Sequence, residues 1–146
     1  MISTFSDKFT LKNFKLDYVR LSDGTSIILR VAIVDIKPLQ TPFGVEFNVL
    51  TTGGISVYPS DSVLNEVKDK PLVEPDKTPS DGWTLVEIIE KQPAHEEVEY
   101  HLNEKYIIKA EIEPLMVVKN IKYKNIQEQP IYIVRWAKKL SWEKVE

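Results

Sequence analysis

The sequence predicts a mainly β, single-domain fold, either an antiparallel barrel or a two-sheet sandwich, with one or two short helices. Three observations carry that expectation. Apolar residues alternate with period two over most of the chain, the mark of strands that bury one face. Glycine and proline punctuate these runs at short intervals, with no βαβ rhythm and no internal repeat. The length of 146 residues, 42% hydrophobic and 28% charged, suits one domain (1–146) with a single core.

Residues 15–21 read as the first strand, and Ser22-Asp23-Gly24 turns it, because Gly accepts positive φ and Asp tolerates it. Residues 25–37 come next, with Ile27, Leu29, Val31 and Ile33 on one face and Ile28, Ala32, Val34 and Ile36 on the other, interrupted there by Arg30. Burial on both sides is expected, under a second layer or against a second subunit. Gln40-Thr41-Pro42-Phe43-Gly44 makes the next turn and leads into a strand over 45–51. Gly53-Gly54 is a strong two-residue hairpin signal, so 55–58 is expected to run back beside 45–51.

Ser60-Asp61-Ser62 can cap a short helix through Lys68, with Val63, Leu64 and Val67 at helical spacing. Pro71, Pro75 and Pro79 forbid regular structure over about 68–82, an excursion within the domain. Residues 83–91 fit a strand ended by Pro93, with a helix as the alternative reading. Residues 97–102 and 106–113 read as a hairpin, the second arm alternating Tyr106, Ile108, Ala110 and Ile112 with Lys109, Glu111 and Glu113. Pro114 leaves 115–119 as a continuation past a bend or a new strand. Residues 125–129 are polar loop, 130–137 form the last of about eight strands, and 138–146 are expected as a short helix or a tail.

Composition excludes several chemistries. With no cysteine there is no disulfide, thiolate nucleophile or cysteine-held metal. The five glycines never form a dinucleotide fingerprint, and Gly53-Gly54 is not followed by the lysine of a phosphate loop. Gly54-Ile55-Ser56-Val57-Tyr58 lacks the second glycine of a serine-hydrolase elbow. His95-Glu96-Glu97-Val98-Glu99 carries Glu where a zincin helix needs its second His. Read as a strand, it sets His95, Glu97, Glu99 and His101 on one outward face, with Val98, Tyr100 and Leu102 inward. No catalytic residue, metal ligand or cofactor is assigned, and the enzyme reading is disfavoured.

Charge is segregated along the chain: residues 60–104 hold 4 bases and 12 acids, whereas 105–146 hold 9 bases and 5 acids. The N-terminal residues lack the pattern of a secretory signal and no apolar run is long enough for a membrane span, so a cytoplasmic, membrane-free setting is expected. Abundant Ile, Val, Glu and Lys lean toward a thermophile.

The expected function is a non-catalytic protein-interaction or structural module, self-associating as a homodimer or a subunit of a larger assembly. The two-faced apolar strand and the segregated charge motivate it. The alternative is a nucleic-acid-binding β protein, because basic and aromatic residues interleave toward the C-terminus. Cations that track phosphates beside aromatic faces that stack on bases suit a single strand. The candidate partner-binding residues are Lys119, Lys122, Tyr123, Lys124, Arg135, Lys138, Lys139 and Trp142. Tyr132 and Trp136 share one strand face with Val134 and are expected in the core.

Overall fold

The period-two rhythm is realised as strands joined by short turns. The structure, a computed structural model, describes residues 9–145. In chain order its elements are β1 (Phe9–Lys15), β2 (Asp17–Leu21), β3 (Ser26–Thr41), β4 (Gly44–Tyr58), α1 (Asp61–Val67), β5 (Trp83–Val86), β6 (Ile88–Gln92), β7 (Ala94–Leu102), β8 (Glu104–Lys124) and β9 (Pro130–Val145). They build two antiparallel sheets packed face to face, a sandwich rather than a closed barrel. The smaller sheet has the order β4-β3-β2-β6. In the larger, β1, β7 and β8 lie side by side, β9 flanks the other edge of β8, and β5 pairs with the C-terminal part of β8.

Three near-continuous stretches tie the sheets together. The chain passes from one sheet to the other at Leu16, between β1 and β2, at Glu87, between β5 and β6, and at Pro93, between β6 and β7. Between the sheets lie Val19, Leu21, Ile27, Leu29 and Val31 from one side and Val98, Ile108, Ala110 and Val117 from the other, all buried. Burial of Ile27, Leu29 and Val31 alone contributes about 5–9 kcal/mol before the entropy of ordering is subtracted. Phe47 of β4 closes one end of the core, edge-on to Tyr100, Tyr106 and Trp142 with ring centroids 5.4, 5.1 and 5.6 Å away.

Several expectations need correction. Gly53-Gly54 is not a turn: β4 runs straight through it, paired with β3 from Ser26↔Tyr58 to Thr41↔Gly44. Positive φ occurs at Gly24, Gly44 and Gly82, and not at Gly53 or Gly54. Gly53 serves a close approach instead, since a Cβ there would stand 2.7 Å from the Arg30 carbonyl oxygen. The expected tail at 138–146 is strand as far as Val145, paired along β8 from Lys138↔Ile112 to Val145↔Lys105. Of the two readings of 115–119 the continuation holds: a register shift between Pro114 and Met116 absorbs the proline and β8 runs on. The described residues hold nine strands and one helix.

The second apolar face of β3 is also redistributed. A bulge between Ile33 and Asp35 leaves Val34 unpaired and reverses the inward–outward phase of the rest of the strand, so Ile36 turns into the core. Ile28 and Ala32 are half-buried and Val34 is exposed on the outside.

Candidate functional site

The eight candidate residues do not form one surface. Lys119 is only 7% exposed and belongs to a buried polar cluster. Its ammonium lies 3.2 Å from Asp23 Oδ2 and 3.4 Å from Glu66 Oε1 of α1. Tyr132 Oη donates to the same Asp23 oxygen at 2.7 Å and stands 2.9 Å from Thr25 Oγ1, which is therefore the donor of that pair. Asp23 Oδ1 accepts from the Thr25 N–H, and Ser60 Oγ donates to the Asp23 carbonyl at 2.7 Å. That bond diverts the Ser60 hydroxyl from the capping bond expected of it at the start of α1. Burial works against the Asp23 carboxylate, but the Tyr132 hydroxyl, the Thr25 N–H and the Lys119 ammonium outweigh it and hold the pKa below the ordinary aspartate value. Burial, with Asp23 beside it, pushes the Tyr132 phenol up. The cluster joins a turn of one sheet, two strands of the other and α1 into a latch.

Lys122, Tyr123 and Lys124 close the Pro-rich excursion onto β8. Asn120 is fully buried; its amide donates to the Asp81 carbonyl at 2.8 Å and accepts from the N–H groups of Lys122 and Tyr123. Lys122 pairs with Asp81 at 2.9 Å. Lys124 Nζ donates to the Lys68 carbonyl at 3.0 Å, and its backbone exchanges bonds with Pro71 and Val73. These three residues hold a loop.

On β9 the remaining candidates alternate between faces. Trp136, Lys138 and Trp142 point toward the seam between β9 and β4, where Lys138 Nζ lies 3.4 Å from Thr51 Oγ1. Trp136 is 41% and Trp142 37% exposed, so the core assignment fails for Trp136, whereas Tyr132 is buried. Arg135 and Lys139 face outward, the latter 3.8 Å from Glu113 and 4.0 Å from Glu111.

The His95 face of β7 is outward, with Nε2 3.2 Å from Asn13 Oδ1 of β1 and Glu97 accepting from the same amide at 3.1 Å. Glu96 instead points inward, 5% exposed, where Oε1 accepts from the Ile33 N–H at the β3 bulge and Oε2 lies 3.5 Å from Arg30. Arg30 in turn covers the Phe14 ring at 4.2 Å. Among the described residues no cluster of three or more histidines and carboxylates is placed to hold a metal, and no helix is long and apolar enough to cross a membrane.

The outer face of the smaller sheet carries an uncovered, partly apolar surface. Its floor is a shallow hollow of about 350 Å³ lined by Ile28, Arg30, Ala32, Thr52, Gly54 and Ser56. Gly54 makes the hollow, for a Cβ there would meet nothing within 4 Å. Beside it Val34 and Leu50 stand proud, 51% and 59% exposed, where the bulge sets Val34 and Asp35 opposite Leu50. Tyr18, paired with Ile28, extends the patch across β2. The bordering cations are neutralised locally, Arg20 by Glu90 and Arg30 by Glu96, each at 3.5 Å. Sequence reasoning found the apolar residues of β3 but missed Gly54 and Leu50, which it assigned to a turn and its approach. It also missed Glu96 and the Asp23 cluster, whose members are scattered along the chain. No protein-family model, curated protein or solved structure matches this chain.

Proposed function

We propose that this protein is a non-catalytic interaction module whose working surface is the outer face of the smaller sheet. One observation carries the reading: the apolar face of β3 and β4 is uncovered, dished at Gly54 and raised at Leu50. Contiguous apolar surface rimmed by paired charges is characteristic of a protein-binding face. The test is the native size of tagged protein in extracts of its own cells. Wild type is expected in an assembly larger than the 16.9 kDa chain, and Leu50→Asp is expected to release it as a monomer with unchanged melting. Equal sizes for both proteins refute the reading.

A second reading, binding of single-stranded nucleic acid, rests on Trp136, Lys138 and Trp142 sharing the open seam of β9. Retention on immobilised single-stranded DNA that falls steeply with salt, and is lost in Lys138→Ala, is its expected result; salt-indifferent flow-through excludes it.

A further inference from the structure

We propose that Asp81 is a site of spontaneous isoaspartate formation, in which the link to Gly82 moves from the main-chain carboxyl to the side-chain carboxyl, and that the latch shields the chain's other Asp-Gly pair, Asp23–Gly24, from the same reaction. The site is separate from the interaction face of the smaller sheet.

Aspartate followed by glycine is prone to this rearrangement because glycine has no side chain to hinder its own nitrogen. The Gly82 nitrogen attacks the carboxyl carbon of the Asp81 side chain in its acid form. A C–N bond forms, the hydroxyl of the acid leaves with the N–H proton as water, and a cyclic succinimide results. Water then adds to one of the two ring carbonyls, the C–N bond to that carbon breaks, and the nitrogen regains its proton. Opening at the main-chain carbonyl leaves the chain running through the Asp81 side chain, with its mass unchanged.

The fold treats the two Asp-Gly pairs of the sequence oppositely. Asp23 is committed at both reacting ends. Its side chain is 11% exposed, Oδ2 takes the Tyr132 hydroxyl and the Lys119 ammonium, Oδ1 takes the Thr25 N–H, and the Gly24 N–H donates to the Leu21 carbonyl at 3.0 Å. The Asp81 side chain is 58% exposed and is held by one ion pair, to the equally exposed Lys122, and such surface pairs restrain a side chain weakly. Among the described residues the Gly82 N–H donates to no backbone carbonyl. Glycine is nonetheless required at this position: φ is +88°, and a Cβ would stand 2.9 Å from Asn120 Oδ1 and 3.0 Å from Lys122 Cβ. The labile pair is therefore built into the loop.

The atoms that exchange roles are the ones that hold the Pro-rich excursion to β8. Asn120 donates to the Asp81 carbonyl at 2.8 Å, and Lys122 pairs with the Asp81 carboxylate at 2.9 Å. After the rearrangement that carbonyl is a free carboxylate, that carboxylate is a peptide carbonyl, and the main chain is longer by one carbon. Both contacts are disrupted, so the excursion loosens.

Purified protein aged in warm neutral buffer, with and without denaturing urea, provides the test. Peptides are mapped by electron-transfer fragmentation, which distinguishes the two linkages. In the native protein isoaspartate is expected to form at Asp81 at least ~10-fold faster than at Asp23, since freeing Asp23 breaks several charge-assisted bonds. In urea the two sites are expected to react at similar rates. Asp81→Glu, which would have to close a larger and slower ring, is expected to lose the signal at that position under both conditions. Trypsin is expected to cut the aged fraction faster than fresh protein after Lys77, within the excursion. Equal rates at the two sites in the native protein overturn the inference, as does an Asp81 that reacts only in urea or an Asp23 that stays inert there. Unchanged cleavage after Lys77 overturns the loosening of the excursion.

Discussion

Substituting alanine at Gly53 and, separately, at Gly54 should move stability in opposite directions. Both positions lie in the middle of β4, and neither has positive φ. At Gly53 the added methyl carbon would lie 2.7 Å from the Arg30 carbonyl oxygen, and that oxygen belongs to the backbone of β3. Relief requires the two strands to part by roughly half an ångström in a paired ladder. Overpacking of this kind costs about 1–3 kcal/mol. At Gly54 the methyl meets nothing within 4 Å, so the dominant effect is the reduced freedom of the unfolded chain, worth about 0.4–1 kcal/mol in favour of folding. Thermal and urea unfolding of both variants at submicromolar protein would read the difference. With about 3–5 °C per kcal/mol for a chain of this length, the two melting temperatures should separate by roughly 5–15 °C, with Gly54→Ala the higher. A tight hairpin at Gly53-Gly54 would hold both residues at positive φ and penalise both substitutions. Comparable destabilisation by the two variants would therefore refute the continuous strand and, with it, the hollow at Gly54.

Three further predictions concern buried polar and charged groups. Tyr132→Phe removes the hydroxyl that donates to Asp23 and accepts from Thr25 and should cost about 1–3 kcal/mol. Lys119→Ala leaves Asp23 buried without its cation and should cost more, about 3–5 kcal/mol; urea midpoints in the reverse order would show that the latch is organised differently. Because the Asp23 pKa is lowered on folding, its contribution is complete above the unfolded aspartate value near 3.9 and is lost as pH falls below it. Asp17 has the opposite sign. It is 1% exposed, burial raises its pKa against the bonds from the Tyr18 and Gln92 N–H groups, and Oδ2 has no partner. Its contribution is therefore complete below the unfolded value and lost as pH rises through the folded one. Relative to Asp17→Asn, wild type should gain stability on acidification from pH 7 to ~4, and parallel stability curves would contradict the assignment.

Much of the fold was legible because alternation is a local property. The inward set of β7 and the first half of β8, the turn at Ser22-Asp23-Gly24 and the helix after Ser60 all derive from spacing and turn chemistry. What failed were the places where one residue alters the phase or the role of its neighbours. The bulge after Ile33 turned Ile36 inward, and a register shift between Leu11 and Asn13 concealed the alternation of β1. Gly53 carries the composition of a turn but answers to the Arg30 carbonyl across the ladder, a demand visible only with the partner strand in place. Local reading likewise cannot tell a surface lysine from Lys119, whose two carboxylate partners come from a distant turn and a helix. The basic and aromatic interleaving toward the C-terminus is real in sequence, yet β8 and β9 distribute it among a latch, a loop staple and both faces of a strand.

Oxidative footprinting of the tagged protein in extracts of its own cells and after purification tests the central claim most directly, because it reports side chain by side chain which surface a partner covers. Tyr18, Val34 and Leu50 on the smaller sheet are expected to be protected in the extract and exposed after purification, with Trp136 and Trp142 on β9 reacting alike in both. Protection centred on Trp136 and Trp142 with Val34 and Leu50 unchanged would contradict it.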